Sequence, residues 1–197
     1  SCGVQSSSTV VFYDDNRFAY ASRAWWLLSH MGLCDIHILD GGFARWCALD
    51  FEQDKAEPKR QEAQSLPFTG NQLQYRNREQ ILAGNETLID SRERPRYLGE
   101  REPIDPIAGH IPGALNAPWA SVCGDNGLAL SAAQQTVRWQ NLLKDDDIPV
   151  VYCGSGVTAC VNLLSLSLAG RMGILYPGSW SDWCSYADAE IAVGEEN

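Results

Sequence analysis

Apolar residues in this chain fall into short runs separated by amphipathic stretches of helix length, so strand and helix signals alternate along most of the sequence. Val10-Val11-Phe12 reads as a strand, the stretch carrying Arg23-Ala24-Trp25-Trp26-Leu27-Leu28 as a helix, and Ile38-Leu39 as the next strand. Further on, Asn77 precedes Arg78-Glu79-Gln80-Ile81-Leu82 as a helix cap would. A strand is predicted over Thr87 to Asp90 and a helix near Ser131 to Leu143. Ile148-Pro149-Val150-Val151-Tyr152 reads as a short buried strand, and Ala159 to Ala169 as a helix closed by Gly170. This alternation predicts an α/β fold, a mostly parallel sheet flanked by helices on both faces. In such sheets ligands bind beyond the carboxyl ends of the strands, and Cys153 sits at such an end.

The pattern also repeats. Val10-Val11-Phe12-Tyr13-Asp14 parallels Val150-Val151-Tyr152-Cys153. Ile38-Leu39-Asp40-Gly41-Gly42-Phe43-Ala44-Arg45-Trp46 parallels Leu175-Tyr176-Pro177-Gly178-Ser179-Trp180-Ser181-Asp182-Trp183. Each copy reads as strand, loop, helix, strand, glycine turn and aromatic helix, with Asp14 standing where the second copy has Cys153. A long stretch precedes the cysteine loop in the second copy, whereas the first copy starts almost at its loop strand. The expected organisation is a partial copy over residues 1–52, a polar linker over 53–70 and one complete domain over 71–197. A strand–helix–strand unit from Val10 to Leu39 without partner strands would expose a sheet edge and an apolar patch. The missing half is therefore expected from an N-terminal piece or from a second chain. The alternative is a rearranged first lobe packed directly on the second domain.

Composition narrows the partners. A formal net charge of −10 argues against a nucleic-acid or anionic-membrane surface, either of which needs clustered Lys and Arg. No apolar run approaches the length of a membrane span, and Ser1-Cys2-Gly3-Val4-Gln5 shows neither a basic region nor a hydrophobic stretch. The 7 cysteines are odd in number and include no Cys-x-x-Cys pair, which favours reduced thiols and a cytoplasmic setting over a disulfide framework or a zinc site. No metal and no cofactor is expected.

The chemistry concentrates in Cys153-Gly154-Ser155-Gly156-Val157-Thr158-Ala159, a tight loop between an apolar strand and an apolar helix. Two glycines let backbone N–H groups turn inward, and the helix start adds its positive dipole end, so the loop favours an anion. The thiolate is the reactive form, and a thiol of ordinary pKa is only about 3% ionised at pH 7. Cys160 lies about two turns along the first face of the helix and reads as a buried small residue. His110 precedes Ile111-Pro112-Gly113 in a turn and reads as a structural tie. A cysteine phosphatase would need an arginine in the C-x5-R position, where this chain has Ala159.

The loop resembles the active-site loop of the two-domain rhodanese-type sulfurtransferases, in the form found in members that take sulfur from 3-mercaptopyruvate. Leu88-Ile89-Asp90-Ser91-Arg92, Arg96-Tyr97, Gly109-His110-Ile111-Pro112-Gly113-Ala114-Leu115-Asn116 and Gly178-Ser179-Trp180-Ser181-Asp182-Trp183 are similar to that family in order and spacing. The resemblance implies a silent first domain, an active second one and a persulfide on Cys153. That sulfur would pass to cyanide or to an acceptor thiol such as that of reduced thioredoxin. It further implies Ser155 as a catalytic hydroxyl, Arg96 against the anionic small-molecule sulfur donor, and the backbone of Gly154, Gly156, Val157 and Thr158 as the cradle. The family's second substrate arginine has no match in Glu102-Pro103-Ile104-Asp105-Pro106, and Arg101 is the nearby candidate. Gly154 and Ser155 stand where thiosulfate-using relatives carry cations, which favours a keto-acid thiol. A thiosulfate:cyanide sulfurtransferase and a non-catalytic rhodanese-like binding module stay open as alternatives.

Overall fold

A computed structural model describes residues 3–57, 59 and 74–196. The chain divides into two compact units, Ser1–Leu73 and Gln74–Asn197. Most of the expected 53–70 linker, and residues 71–73 at the expected start of the second domain, lie outside the described residues.

The first unit is built from β1 (Val10–Phe12), α1 (Ala21–His30), β2 (Ile36–Ile38) and α2 (Gly42–Ala48). The two strands pair in parallel, Val10 opposite Ile36 and Phe12 opposite Ile38. That is the right arrangement for a strand–helix–strand crossover. Helix α1 buries Ala21, Ser22 and Trp26. At the start of α2, Gly42 has φ +64, and a Cβ there would lie 2.0 Å from the carbonyl oxygen of Asp14. Strand and turn meet too closely for any side chain. Val11 and Tyr13 remain 53% and 58% exposed, with Tyr13 stacked on the half-exposed Phe43 at 5.8 Å. A parallel sheet is normally covered on both faces, so this pair of strands is less than a finished layer.

The second unit runs α3 (Arg78–Ala83), β3 (Leu88–Asp90), α4 (Arg94–Tyr97), β4 (Leu115–Asn116), a 3-10 turn at Trp119–Val122, α5 (Ala132–Gln140), β5 (Val150–Tyr152), α6 (Ala159–Leu168), β6 (Ile174–Leu175) and α7 (Ser179–Trp183). Its sheet has the order β4-β3-β5-β6 and is parallel throughout. Ile89 faces Leu115 on one side and Val151 on the other, and Val151 faces Leu175. Tyr75 extends the sheet by a parallel bridge to Leu175. The α/β fold with a parallel sheet flanked by helices is thus the one that the apolar runs predict.

Local sequence explains the element boundaries. Asn77 with Gln80, and Ser131 with Gln134, form reciprocal capping boxes at the starts of α3 and α5, satisfying N–H groups that a helix start leaves unpaired. Helix α6 ends at Gly170, which takes φ +71. Ala159, Cys160, Val161, Leu163 and Leu166 of α6 are buried together with the central strand residues Ile89, Val150, Val151 and Tyr152. The Trp139 indole N–H donates to Ser165 Oγ at 2.9 Å, tying α5 to α6. Buried Trp180 and Trp183 of α7 pack with Ile81, Ile111 and Tyr176 in one cluster. Both helices that frame the cysteine loop are therefore anchored in the core.

Candidate active site

Strand β5 delivers Cys153 to the carboxyl edge of the sheet, where it is 2% exposed. The loop that follows is pinned from α7. The N–H groups of Trp180 and Ser181 donate to the carbonyls of Cys153 and Gly154, each at 2.9 Å. Gly156 takes φ +73, and a Cβ on it would come within 2.4 Å of the Pro177 carbonyl oxygen, so glycine is required there. Cys160 is fully buried, and its thiol donates to the Gly156 carbonyl. With the loop carbonyls occupied, the N–H groups of Gly154, Ser155, Val157 and Thr158 have no protein acceptor among the described residues. In the first turn of α6 the N–H groups of Cys160 and Val161 donate to the carbonyls of Val157 and Thr158, each at 3.1 Å, which closes the loop onto the helix.

The first unit shows what such a loop holds. The Asp14 carboxylate accepts from the N–H groups of Asn16 at 2.8 Å and Phe18 at 3.0 Å through Oδ1, and from Tyr20 at 2.9 Å and Ala21 at 2.7 Å through Oδ2. Four backbone donors thus converge on one anion at a strand–loop–helix junction, and Cys153 occupies the matching place in the second unit. The loop geometry is an anion cradle. In one copy the chain supplies the anion itself, and in the other it supplies a thiol.

Ser179 was not singled out by sequence reasoning. It is fully buried with φ +57, and its Oγ accepts the Cys153 N–H at 3.1 Å while donating to the Tyr176 carbonyl at 2.9 Å. A non-glycine residue in this region costs on the order of 1 kcal/mol. The corresponding residue of the first unit is Gly42, also at positive φ, where no such cost arises. The second unit keeps the strain together with a hydrogen bond that orients the Cys153 peptide. Ser179→Gly is expected to relieve the strain and remain within about 1 kcal/mol of the parent in urea denaturation, while Ser179→Ala keeps the strain and loses roughly 1–2 kcal/mol. Both are expected to slow alkylation of the Cys153 thiol by iodoacetamide several-fold. Equal alkylation rates in parent and Gly variant would remove the orienting role.

Arg96, on the short helix α4, lies over the loop. Its Nη2 and Nη1 are 3.6 and 3.7 Å from where a Cβ on Gly154 would be. Glu102 accepts from Arg96 Nε at 3.0 Å and Nη2 at 2.7 Å, and Asp105 accepts from Nη2 at 3.3 Å. Glu102 also accepts from Arg92 Nη1 at 3.2 Å. Arg92 is buried, donating to Asp90 from Nε and Nη2 and to the Gly109 carbonyl at 2.6 Å, with its guanidinium 4.6 Å from the Trp180 ring centroid. Burial is the largest influence on Arg92 and would depress its pKa, but the Asp90 hydrogen bonds together with the charges of Asp90 and Glu102 outweigh it and raise the value. Burial likewise favours the neutral Glu102 acid, yet hydrogen bonds from Arg96 and from the N–H groups of Ile104 and Asp105 prevail and lower its pKa.

The remaining sequence candidates fall as follows. Ser155 is exposed, and its hydroxyl has no partner among the described residues. Arg101 is exposed and its side chain forms no hydrogen bond or ion pair among the described residues, and of these, apart from the chain neighbours of Gly154, Arg96 alone stands within 4 Å of the Gly154 Cβ position. The Arg101 side chain is therefore not brought against the loop at Gly154, because the chain turns there to send Glu102 and Asp105 inward instead. His110 is fully buried, hydrogen-bonds the Tyr97 carbonyl through Nδ1 at 2.7 Å, stacks on Tyr97 at 3.8 Å and pairs its backbone with Ala192. It ties three segments together, as its turn position suggests.

A model of the rhodanese-like domain matches residues 4–49 and 75–186, which contain both loops. The chain belongs to the rhodanese family. Among its rhodanese relatives, a Pseudomonas aeruginosa protein named "Probable 3-mercaptopyruvate sulfurtransferase" is 42% identical over 98% of this chain and 70% of its own length. The thiosulfate sulfurtransferase of Rattus norvegicus is 31% identical over 98% of this chain and 68% of its own length. In structure, this rhodanese chain is similar to an EanB variant solved with ergothioneine, with a TM-score of 0.86 at 19% identity. That likeness covers 100% of this chain and 53% of the other, so the chain spans about half the length of that neighbour.

Proposed function

We propose that the chain is a sulfurtransferase that moves sulfur from 3-mercaptopyruvate to a thiol or cyanide acceptor through a persulfide on Cys153, releasing pyruvate. The observation that carries the reading is the pair of loops. Four N–H groups close on a carboxylate at Asp14, and a cysteine takes that place in a loop with unengaged N–H groups. The Cys153 thiolate attacks the donor's sulfur. The carbon–sulfur bond breaks, its electron pair leaves as the enolate of pyruvate, and a proton taken up at carbon completes the product. The persulfide keeps the transferred sulfur against the N–H groups of Gly154, Ser155, Val157 and Thr158. An acceptor thiolate, such as that of a reduced thioredoxin, or cyanide then attacks the outer sulfur and frees Cys153. Arg96 meets the donor carboxylate, and the exposed Ser155 hydroxyl is available to the donor's thiol or carbonyl. Arg101 has no part in this scheme.

The names carried by relatives divide between mercaptopyruvate and thiosulfate, so the donor is the point to test. Incubation with each donor followed by intact-mass measurement should give an adduct of about 32 Da, one added sulfur, on Cys153 with mercaptopyruvate. An adduct from thiosulfate alone would overturn the donor assignment, and none from either would leave a binding module.

The described cysteines are all thiols, and no helix of the described residues is long and apolar enough to cross a membrane. A cytoplasmic setting accords with both. The exposed Val11 of β1, with Tyr13 just beyond it and Phe43 of α2 stacked on Tyr13, accords with further strands, on this polypeptide or another, completing the first unit.

A further inference from the structure

Arg96 is the cation nearest the cysteine loop, and it is unusually encumbered. Glu102 takes Nε and one N–H of Nη2, and Asp105 lies 3.3 Å from Nη2, which leaves Nη1 without a protein acceptor among the described residues. Nη1 is 3.7 Å from the Cβ position of Gly154, the residue after the nucleophile. The charges are linked in one chain of contacts, Asp90 to Arg92, Arg92 to Glu102, Glu102 to Arg96 and Arg96 to Asp105. Three carboxylates therefore face two guanidiniums. The Glu102 and Asp105 side chains are 3% and 7% exposed, so little water screens them. Glu102 Oε1 also accepts the N–H groups of Ile104 and Asp105, which curls this segment and holds the second carboxylate in place.

We propose that Glu102 and Asp105 determine donor specificity at the Cys153 site, leaving Arg96 one free edge for a single carboxylate and repelling a compact dianion. This rests on the sulfurtransferase reading and narrows its donors to monoanionic keto-acid thiols. A dianion such as thiosulfate meets each fixed carboxylate with twice the repulsion that a monoanion meets. The orienting pull of Arg96 is already shared between two internal partners. Asp105 is the adjustable member, because its side chain pairs only with Arg96 among the described residues, whereas Glu102 also supports buried Arg92.

The test compares kcat/KM for thiosulfate and for 3-mercaptopyruvate, with cyanide as acceptor, in the full chain and in Asp105→Asn. The ratio of thiosulfate to mercaptopyruvate should rise about tenfold in the variant, as expected for loss of one nearby charge at partial screening. Glu79→Gln removes an equal charge from the exposed face of α3 and should leave the ratio within twofold, which separates a local effect from net charge. Should Asp105→Asn fold poorly, Asp105→Ser removes the same charge with a smaller side chain and should raise the ratio alike. A ratio within twofold of the parent in either variant, in protein whose Cys153 still loads sulfur, overturns this proposal alone. Failure of both donors to load Cys153 in the parent sinks the sulfurtransferase reading as well.

Discussion

Cys153→Ser should abolish sulfur transfer while leaving the fold intact. Serine is close to cysteine in size, the side chain is buried at 2%, and the bonds holding the loop run through backbone and Ser179. Stability is expected to stay within about 1 kcal/mol of the parent. Turnover should drop by roughly three orders of magnitude or more, because a hydroxyl ionises far above neutral pH and cannot carry the transferred sulfur as a persulfide. The adduct of about 32 Da should vanish from intact-mass spectra with every donor. Turnover at the parent rate by the serine variant would remove Cys153 from the mechanism. An adduct persisting at another cysteine, such as Cys184, would move the reaction there.

The largest expected loss of stability comes from Arg92→Leu. Arg92 joins Asp90 at the end of β3, Glu102, and the Gly109 carbonyl before the His110 turn, and it lies over Trp180 of α7. Removing it leaves the buried Asp90 carboxylate without its guanidinium and leaves Arg96 as the one side-chain partner of Glu102, so a destabilisation of about 3–5 kcal/mol is expected by urea denaturation. Asp90→Asn combined with Arg92→Leu should recover part of that loss, since the stranded charge is gone. A loss below about 1 kcal/mol in the single variant would show that the network is solvated in solution. The same network has an acid limit. The Glu102 pKa is lowered in the folded state, so its contribution is fully present above the unfolded glutamate value, about 4.3, and is lost as pH falls through the folded value. Between pH 5 and 8 this group should leave the melting temperature flat, and Glu102→Gln should remove its share of the acid-induced decline.

Much of this was legible in the residues themselves. The apolar runs at Val10, Leu88, Val150 and Ile174 became strands because each is short, apolar and bounded by polar or turn-forming residues. The Asp14–Cys153 correspondence was readable because both follow an apolar strand and precede a helix. What each residue does there required coordinates, since four N–H groups converging on a carboxylate depend on loop torsions that no pattern encodes. Ser179 is not legible in the sequence because its significance lies in a positive φ and a contact between the end of β5 and the start of α7. Glu102 and Asp105 were noticed only as the absence of an arginine. Their inward turn arises from hydrogen bonds between Glu102 and its neighbours, whereas a sequence shows merely a proline-rich acidic stretch. Arg101 drew attention by proximity along the chain, which a tight turn readily overrules.

The Asp14 carboxylate also bears on inheritance. A loop whose donors are filled by a covalently attached group behaves as a receptor with its ligand tethered at very high effective concentration, so no diffusing anion competes for it. Exchanging a single residue at that position separates a permanently occupied receptor from one whose cargo arrives and departs. The first copy can therefore retain the cradle for architecture alone, and it holds in its own side chain the kind of charge that such a cradle is built to receive.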